Sequence, residues 1–261
     1  MHRHTAICIY SDVSLYLWSR GPSLLPLRNL STLYLRCGAL DFAGAGVIHL
    51  VGGVAALVGA AMIGPRRALL VNEVEPQEFG PAFQTMGTLM AMCGWAGLNV
   101  GAAVLSTPAA ATPGGVGSAA AKAMATSVVS AACGALSGVL SLAVARGRDE
   151  ESGHRFQPRF RDLANSTLSG LVAVSACAAV VEPSGAVAIG LVSGQVYSWA
   201  VLKMDDWGTD DVALSAAVHG ANGAWGLLAA GLFATPHGYT EHAIRQHHRS
   251  RKREFVCLVV S

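Results

Sequence analysis

Charge is scarce in this chain, and the scarcity excludes the commonest classes of soluble protein. Only 13% of its 261 residues are Asp, Glu, Lys or Arg, against about 25% in an average soluble domain. The formal net charge of +2 gives no basis for binding nucleic acid. We therefore expect a protein that is neither nucleic-acid-binding nor an ordinary soluble domain.

Paired cysteines are also absent. The six cysteines include no Cys-x-x-Cys motif, and three of them (Cys93, Cys133 and Cys177) lie inside apolar runs. Cysteines in such surroundings behave as small hydrophobic residues. The sequence therefore predicts no metal site, no disulfide framework and no cofactor.

Apolar residues, by contrast, make up 52% of the chain and are concentrated in long runs. Six runs approach or exceed the roughly 20 residues that a membrane-spanning helix needs: 42–63, 83–105, 119–145, 163–181, 184–203 and 212–234. The runs are apolar on all sides, whereas a soluble helix is apolar along one stripe. We predict an all-α, polytopic membrane helix bundle over 41–235, between a divergent N-terminal region (1–40) and a polar, basic tail (236–261).

The basic residues predict how the bundle is oriented. Apart from Lys122 and the two terminal regions, they lie after the first and third runs and, as Lys203, at the end of the fifth, whereas the connections at 106–118 and 182–183 contain no Lys or Arg. Cytoplasmic loops carry the excess of Lys and Arg in membrane proteins. The first helix is therefore predicted to enter the membrane from outside.

Two histidines, His49 and His219, lie within apolar runs, and the other seven do not. An ionisable side chain inside a membrane is costly and usually functional. Each of the two is followed four residues later by a glycine, Gly53 or Gly223. Five crossings separate their helices, which should therefore run in opposite directions, as in an inverted-repeat transporter.

These residues alone leave three interpretations open. The two histidines are part of a transport pathway, or they ligate haem in a membrane oxidoreductase subunit, or the chain is a non-transporting regulatory membrane protein.

Longer motifs favour the first interpretation. Four blocks resemble the ammonium transporter family, which includes the Mep and Rh proteins, and they occur in that family's order. They are Asp-Phe-Ala-Gly-Ala-Gly-Val-Ile-His at 41–49, Gly-Trp-Ala-Gly-Leu-Asn-Val-Gly at 94–101, Asp-Leu-Ala-Asn at 162–165, and the segment from Asp210-Asp211 through His219 to Leu232-Phe-Ala. The Val-Gly-Gly after His49 is most similar to the plant and algal branch.

The resemblance implies a fold of eleven helices with two inverted repeats, of which the six runs match the fifth to tenth. On this interpretation the chain is truncated at both ends. The resemblance further implies a multi-pass protein of the plasma membrane, a homotrimer in the lipid bilayer, and transport of ammonium or ammonia, and of methylammonium, rather than enzymatic activity. Impaired transport by the shortened chain is part of the same expectation.

The resemblance also assigns site residues. His49 and His219 match the two pore histidines, which hydrogen-bond to each other in the family. Asp41 matches an Asp that recruits substrate and stabilises the fifth helix, and Trp95 matches a pore aromatic. Leu98 stands where the family usually has a gating Phe. Trp18 matches a Trp of the outer vestibule.

Overall fold

The computed structural model describes residues 40–66, 80–106, 115–147 and 159–234, and this part of the chain contains six helices. In chain order they are α1 (Ala45–Ile63), α2 (Pro81–Ser106), α3 (Gly115–Arg146), α4 (Phe160–Ser175), α5 (Pro183–Asp206) and α6 (216–233). The predicted vestibule residue Trp18 and the basic tail lie outside the described residues, as does nearly all of the N-terminal region.

The six helices confirm the predicted fold class. Four of them are long and apolar enough to cross a membrane: Ala45–Ile63, Pro81–Val104, Val116–Arg146 and Pro183–Asp206. Their outer faces expose large hydrophobic side chains such as Met62, Leu136 and Val144. Unpaired apolar faces of this extent belong in lipid rather than in water. The protein is an integral, multi-pass membrane protein.

Helix α4 is shorter than its apolar run, which predicted a helix to residue 181. It ends at Ser175 and gives way to a series of turns. The carbonyls of Ser175 and Ala176 accept hydrogen bonds of 2.9 Å from the backbone N–H groups of Ala43 and Phe42, just before α1. An apolar run does not reveal such a partner, because every residue type supplies the same carbonyl.

The centre of the bundle is the packing of α3 against α4 and α5, where small residues face one another. A β-carbon on Gly194 would overlap Ser137 and Gly138 of α3, so the two backbones are in direct contact. Ser198 Oγ donates to the Gly138 carbonyl across this contact at 3.0 Å. Small residues and short hydroxyl side chains of this kind stabilise helix pairs inside membranes.

Helices α1 and α6 cross each other at an equally close distance. A β-carbon on Gly53 would overlap the backbone of Gly220, and one on Gly223 would meet Leu50 at 2.6 Å. The contacts advance along α1 while they recede along α6, so the two helices run antiparallel. This arrangement is the one predicted from five intervening crossings, and it places His49 and His219 at the centre of the crossing.

Candidate functional site

Each candidate histidine lies in a turn of π-helix at the start of its helix. The π-helical residues are Ala45–Leu50 in α1 and Ala216–Ala221 in α6. Such turns have wider backbone rings than an α-helix and are frequent at functional sites. The two histidines therefore share a local backbone geometry that their flanking sequences, apart from the shared glycine, do not predict.

A carboxylate caps each of these turns from five residues upstream. Asp41 Oδ2 accepts hydrogen bonds from Gly46 N and Val47 N, both at 3.0 Å. Asp211 Oδ2 accepts one from Ala216 N at 2.7 Å. An anionic acceptor at a helix N-terminus satisfies free N–H groups and complements the helix dipole. Each carboxylate thereby fixes the turn that carries its histidine.

Burial raises the pKa of both capping carboxyls, against the opposing effect of the backbone N–H groups that they accept. Both groups lie just outside the spans. The cause is partial removal of the carboxyls from water where two helices enter the bundle, because burial disfavours the charged form.

The two histidines meet a tryptophan from a third helix. The ring centroids of His49 and His219 are 5.3 Å apart with an angle of 26° between the planes. Trp95 of α2 lies 4.9 Å from His49 and 5.7 Å from His219, at interplanar angles of 20° and 7°. The three rings form one cluster, and three separate helices contribute to it.

Hydrogen bonding in the cluster differs from what the resemblance implies. Neither ring nitrogen of His49 has a hydrogen-bond partner in the described part of the protein, and Nδ1 of His219 also has none. The expected bond between the two imidazoles is therefore absent. The nearly parallel rings approach each other without the alignment of donor and lone pair that such a bond needs.

His49 is only 4% exposed, so its two free nitrogens are shielded by protein. A buried polar atom without a partner costs free energy and calls for an explanation, such as a functional group that meets a transient ligand. The imidazole can accept a hydrogen bond at one nitrogen and donate one at the other. His49 therefore keeps hydrogen-bonding capacity that no group in the described residues uses.

Trp95 is held in place through its indole N–H. Nε1 donates to Ser175 Oγ at 3.2 Å, and that hydroxyl in turn donates to the Leu171 carbonyl at 2.8 Å. Ser175 is the last residue of α4. The early end of α4 therefore positions the hydroxyl that orients the tryptophan.

The remaining predicted residues divide into two groups. Asp41 lies at the start of α1 as expected, and Leu98 lies half-buried on α2, three residues after Trp95 and so on the same side of that helix. Trp18 lies outside the part of the chain that the structure describes.

A cavity of about 210 Å³ adjoins the crossing between α1, α5 and α6, but its walls include none of the predicted site residues.

Sequence reasoning missed an ion pair and a cap next to the site. Arg66 follows α1 and forms a two-point ion pair with Asp210, and Asp211 caps α6. One signal was available for the cap: Asp41 and Asp211 precede their histidines at the same spacing (41 to 49 and 211 to 219). No nearby sequence pattern predicted the ion pair.

No group of three or more His, Cys, Asp or Glu side chains able to hold a metal ion occurs in residues 40–66, 80–106, 115–147 and 159–234. Within the three-ring cluster, the two histidines have metal-ligating side chains and the tryptophan does not.

Comparison with known proteins decides the family. The model of the Ammonium Transporter Family matches residues 5–260. The chain belongs to the Ammonium Transporter Family. It is 32% identical over 231 residues to ammonium transporter 1 member 1 of Arabidopsis thaliana, covering 87% of this chain and 44% of the relative. It is 31% identical over 206 residues to the ammonium transporter Amt2 of Archaeoglobus fulgidus, with coverage of 76% and 39%.

Solved structures of the family share the fold. Saccharomyces cerevisiae Mep2 matches with a TM-score of 0.63 and 26% identity over 78% of this chain and 41% of Mep2. The structure titled Sensor Amt Protein matches with a TM-score of 0.62 and 26% identity, over 86% of this chain and 52% of that one. The chain thus spans about half the length of the relatives that it matches.

Proposed function

We propose that this protein conducts ammonium or ammonia across the membrane along a path lined by His49, His219 and Trp95. The observation that carries the proposal is the three-ring cluster at the α1–α6 crossing, in which buried imidazole nitrogens lack partners. Family membership supplies the substrate class, because the relatives are named ammonium transporters.

The chemistry of the cluster suits a small nitrogen base. Ammonium is a cation in water, and moving it into a narrow apolar passage without its hydration is costly. Ammonia is neutral and both donates and accepts hydrogen bonds. The free nitrogens of His49 can exchange hydrogen bonds with it in turn. On this mechanism ammonium gives a proton to water at the entrance, neutral ammonia passes the imidazoles, and ammonia takes a proton from water on the far side.

The other assigned residues take roles around this path. Asp41 holds the π-helical turn of His49 through its two backbone hydrogen bonds. Leu98, three residues from Trp95 on α2, contributes apolar surface where the family usually has an aromatic gate. Trp18 recruits the cation at an outer vestibule. Methylammonium, which differs by one methyl group, is a second substrate.

The cluster geometry argues against haem ligation. Two axial histidines must each point a ring nitrogen at an iron that lies between them. The rings of His49 and His219 instead stack face to face with centroids only 5.3 Å apart, which leaves no room for a porphyrin between them. We therefore propose a transporter without a cofactor, assembled as a homotrimer in the plasma membrane.

Uptake by cells that lack their own ammonium transporters tests the proposal. Cells making the wild-type chain should grow on low ammonium and accumulate labelled methylammonium. His49→Ala with His219→Ala should abolish most uptake, because the passage loses its polar partners. Trp95→Ala should reduce uptake, whereas Trp199→Ala is the matched control, since Trp199 is exposed on α5. Undiminished uptake by the double histidine variant, at equal protein in the membrane, would sink the idea.

One observation favours a second candidate, sensing without transport. The structure titled Sensor Amt Protein matches more of this chain than Mep2 does. Under this alternative the purified chain binds ammonium with an affinity that His49→Ala weakens, while cells making it accumulate none. Accumulation in cells separates the two functions.

A further inference from the structure

The site described above ends at the crossing of α1 and α6, but one ion pair joins the same two helices beyond it. Arg66 lies just after α1, and Asp210 lies just before α6. Arg66 Nε is 2.7 Å from Asp210 Oδ2, and Nη2 is 2.8 Å from Oδ1. The backbone N–H of Arg66 also donates to Oδ2, at 2.8 Å. We call these three contacts the Arg66–Asp210 clamp.

The clamp differs from the other ion pairs of the described residues in geometry and burial. Its carboxylate is only 6% exposed, whereas the carboxylates of the pairs at Glu182, Asp205 and Asp206 are 48 to 63% exposed. A two-point guanidinium–carboxylate contact also fixes orientation as well as distance. Exposed single contacts contribute little. The clamp is therefore the pair best suited to hold backbone in place.

The backbone on each side of the clamp leads directly to a site element. Gly64 takes a φ of +78° after α1, which turns the chain so that Arg66 reaches the other helix. On the opposite side, Asp211 follows Asp210 and caps the π-helical turn that contains His219. Two consecutive carboxylates thus do two tasks, because one holds the end of α1 and the other holds the start of α6.

The crossing is a contact of glycine against backbone at Gly53 and Gly223, and side-chain packing between the two helices, such as Leu227 against Gly46, lies near the start of α1. The other end of α1 is tied to α4 by the hydrogen bonds of Phe42 and Ala43. The clamp joins the end of α1 to the segment just before α6, whose first turn contains His219.

We propose that Arg66 and Asp210 are positioning residues, whose clamp sets the separation of His49 and His219 in the pathway. The expected effect on transport rests on the proposed function, whereas the expected effect on the placement of the rings does not. Without the clamp, α1 and α6 shift at their crossing and the three rings lose their mutual placement. A misplacement of about 1 Å at a functional site reduces a rate by up to two orders of magnitude.

Transport variants test the consequence for the pathway. Arg66→Gln and Asp210→Asn should each lower methylammonium uptake by about tenfold, within the range expected for a displaced functional group. The charge-swapped chain, Arg66→Asp with Asp210→Arg, should recover most of the loss, because the two-point contact can form again. Asp205→Asn is the matched control: it removes an exposed ion pair with Arg146 and should leave uptake unchanged.

A spectroscopic measurement tests the placement of the rings without relying on transport. In a chain whose only tryptophan is Trp95, with Trp18, Trp199, Trp207 and Trp225 replaced by Phe, the indole emission reports the surrounding rings and access of water. Asp210→Asn should move that emission to longer wavelength and change its intensity, and the charge swap should restore it. Asp205→Asn should leave the spectrum as it was.

The outcomes separate this inference from the proposed function. If the wild-type chain takes up no substrate, the proposed transport function fails, while the emission spectra still decide about the clamp. Emission that does not change in Asp210→Asn overturns the clamp as a positioning device. So does a charge-swapped chain that reaches the membrane in wild-type amounts but recovers neither uptake nor spectrum. If a single variant fails to accumulate in the membrane, the charge-swapped chain, in which the ion pair can form again, provides the test.

Discussion

Two carboxylates satisfy free backbone N–H groups at the start of a helix, which no apolar side chain can do. Asp41 and Asp211 each accept backbone hydrogen bonds from the turn that precedes a histidine. The matching positions relate the two halves of the site by an approximate two-fold axis. This symmetry extends to the crossing, where Gly53 and Gly223 make equivalent contacts.

Replacing Asp211 tests the cap. Asp211→Ala should lower the free energy of unfolding by about 1 kcal/mol, the usual value of a lost N-terminal cap. Asp211→Asn should lower it less, because the amide oxygen still accepts the bond from Ala216. Thermal unfolding in detergent measures both, with Asp205→Ala as the exposed control. Equal losses in the Ala and Asn variants would show that the bond to Ala216 is not what matters.

The clamp carboxyl predicts a dependence on pH. The side-chain hydrogen bonds from Arg66, with its charge, lower the pKa of Asp210 below the ordinary 3.8. A lowered pKa in the folded state means that the stabilisation is fully present above pH 3.8 and is lost as the pH falls through the folded value. The difference in melting temperature between wild type and Asp210→Asn should therefore be constant from neutral pH to about 5 and shrink under stronger acid. A difference that shrinks near pH 6 would point to another group.

Close helix contact is the dominant feature at the scale of elements. α3, α4 and α5 pack through glycine and serine, and α1 crosses α6 with glycine against backbone at Gly53 and Gly223. Membrane helices gain little from excluding lipid, so close van der Waals contact and interhelical hydrogen bonds hold them together. The glycine four residues after each histidine is therefore explained by packing, since any side chain there would push its partner helix away.

Gly53→Ala tests this reading against Gly59→Ala on the same helix. The added methyl at residue 53 would overlap the backbone of Gly220, whereas nothing lies within 4 Å of one at residue 59. Both changes favour helix formation equally. Gly53→Ala should nevertheless destabilise the protein by about 1–3 kcal/mol through overpacking, while Gly59→Ala should be neutral or slightly stabilising. Similar melting temperatures for the two variants would contradict the close crossing.

The charge distribution determines the expected topology at the scale of the whole molecule. Among the connections between helices, those after α1 and α3 carry basic residues, and Lys203 lies in the last turn of α5. The positive-inside tendency places these ends of the helices in the cytoplasm. In the structure, Arg66, just after α1, forms an ion pair with Asp210, in the segment between α5 and α6. Segments that follow the first helix and precede the last therefore lie on one side of the bundle, as the alternation of spans requires.

Thiol labelling of intact cells tests the topology. In a cysteine-free background, Ser184→Cys at the start of α5 should react with a membrane-impermeant reagent added outside. Pro65→Cys after α1 and Asp206→Cys at the end of α5 should react only after permeabilisation. All three positions are exposed, so access to the side chain does not limit the reaction. Labelling of Pro65→Cys in intact cells would reverse the predicted orientation.

Sequence alone was enough to predict the class of this protein, the six helices of its described residues and the two histidines within apolar runs. These features follow from composition and periodicity, because lipid demands long apolar segments and makes an idle imidazole costly. The antiparallel course of α1 and α6 followed from counting crossings, and the family motifs added Trp95 and Asp41. Each of these depends on one segment at a time, so it can be recognised without knowing what the segment contacts.

The other features are visible only in the folded protein, because they concern pairs of residues that are distant in the chain. The clamp joins residues 144 positions apart, and the early end of α4 depends on backbone groups preceding α1. The relation of the two imidazoles, close but without a mutual hydrogen bond, is set by three helices together. A hydrogen bond or ring contact is decided by differences well below 1 Å in how helices pack, and no local pattern of residue types encodes these.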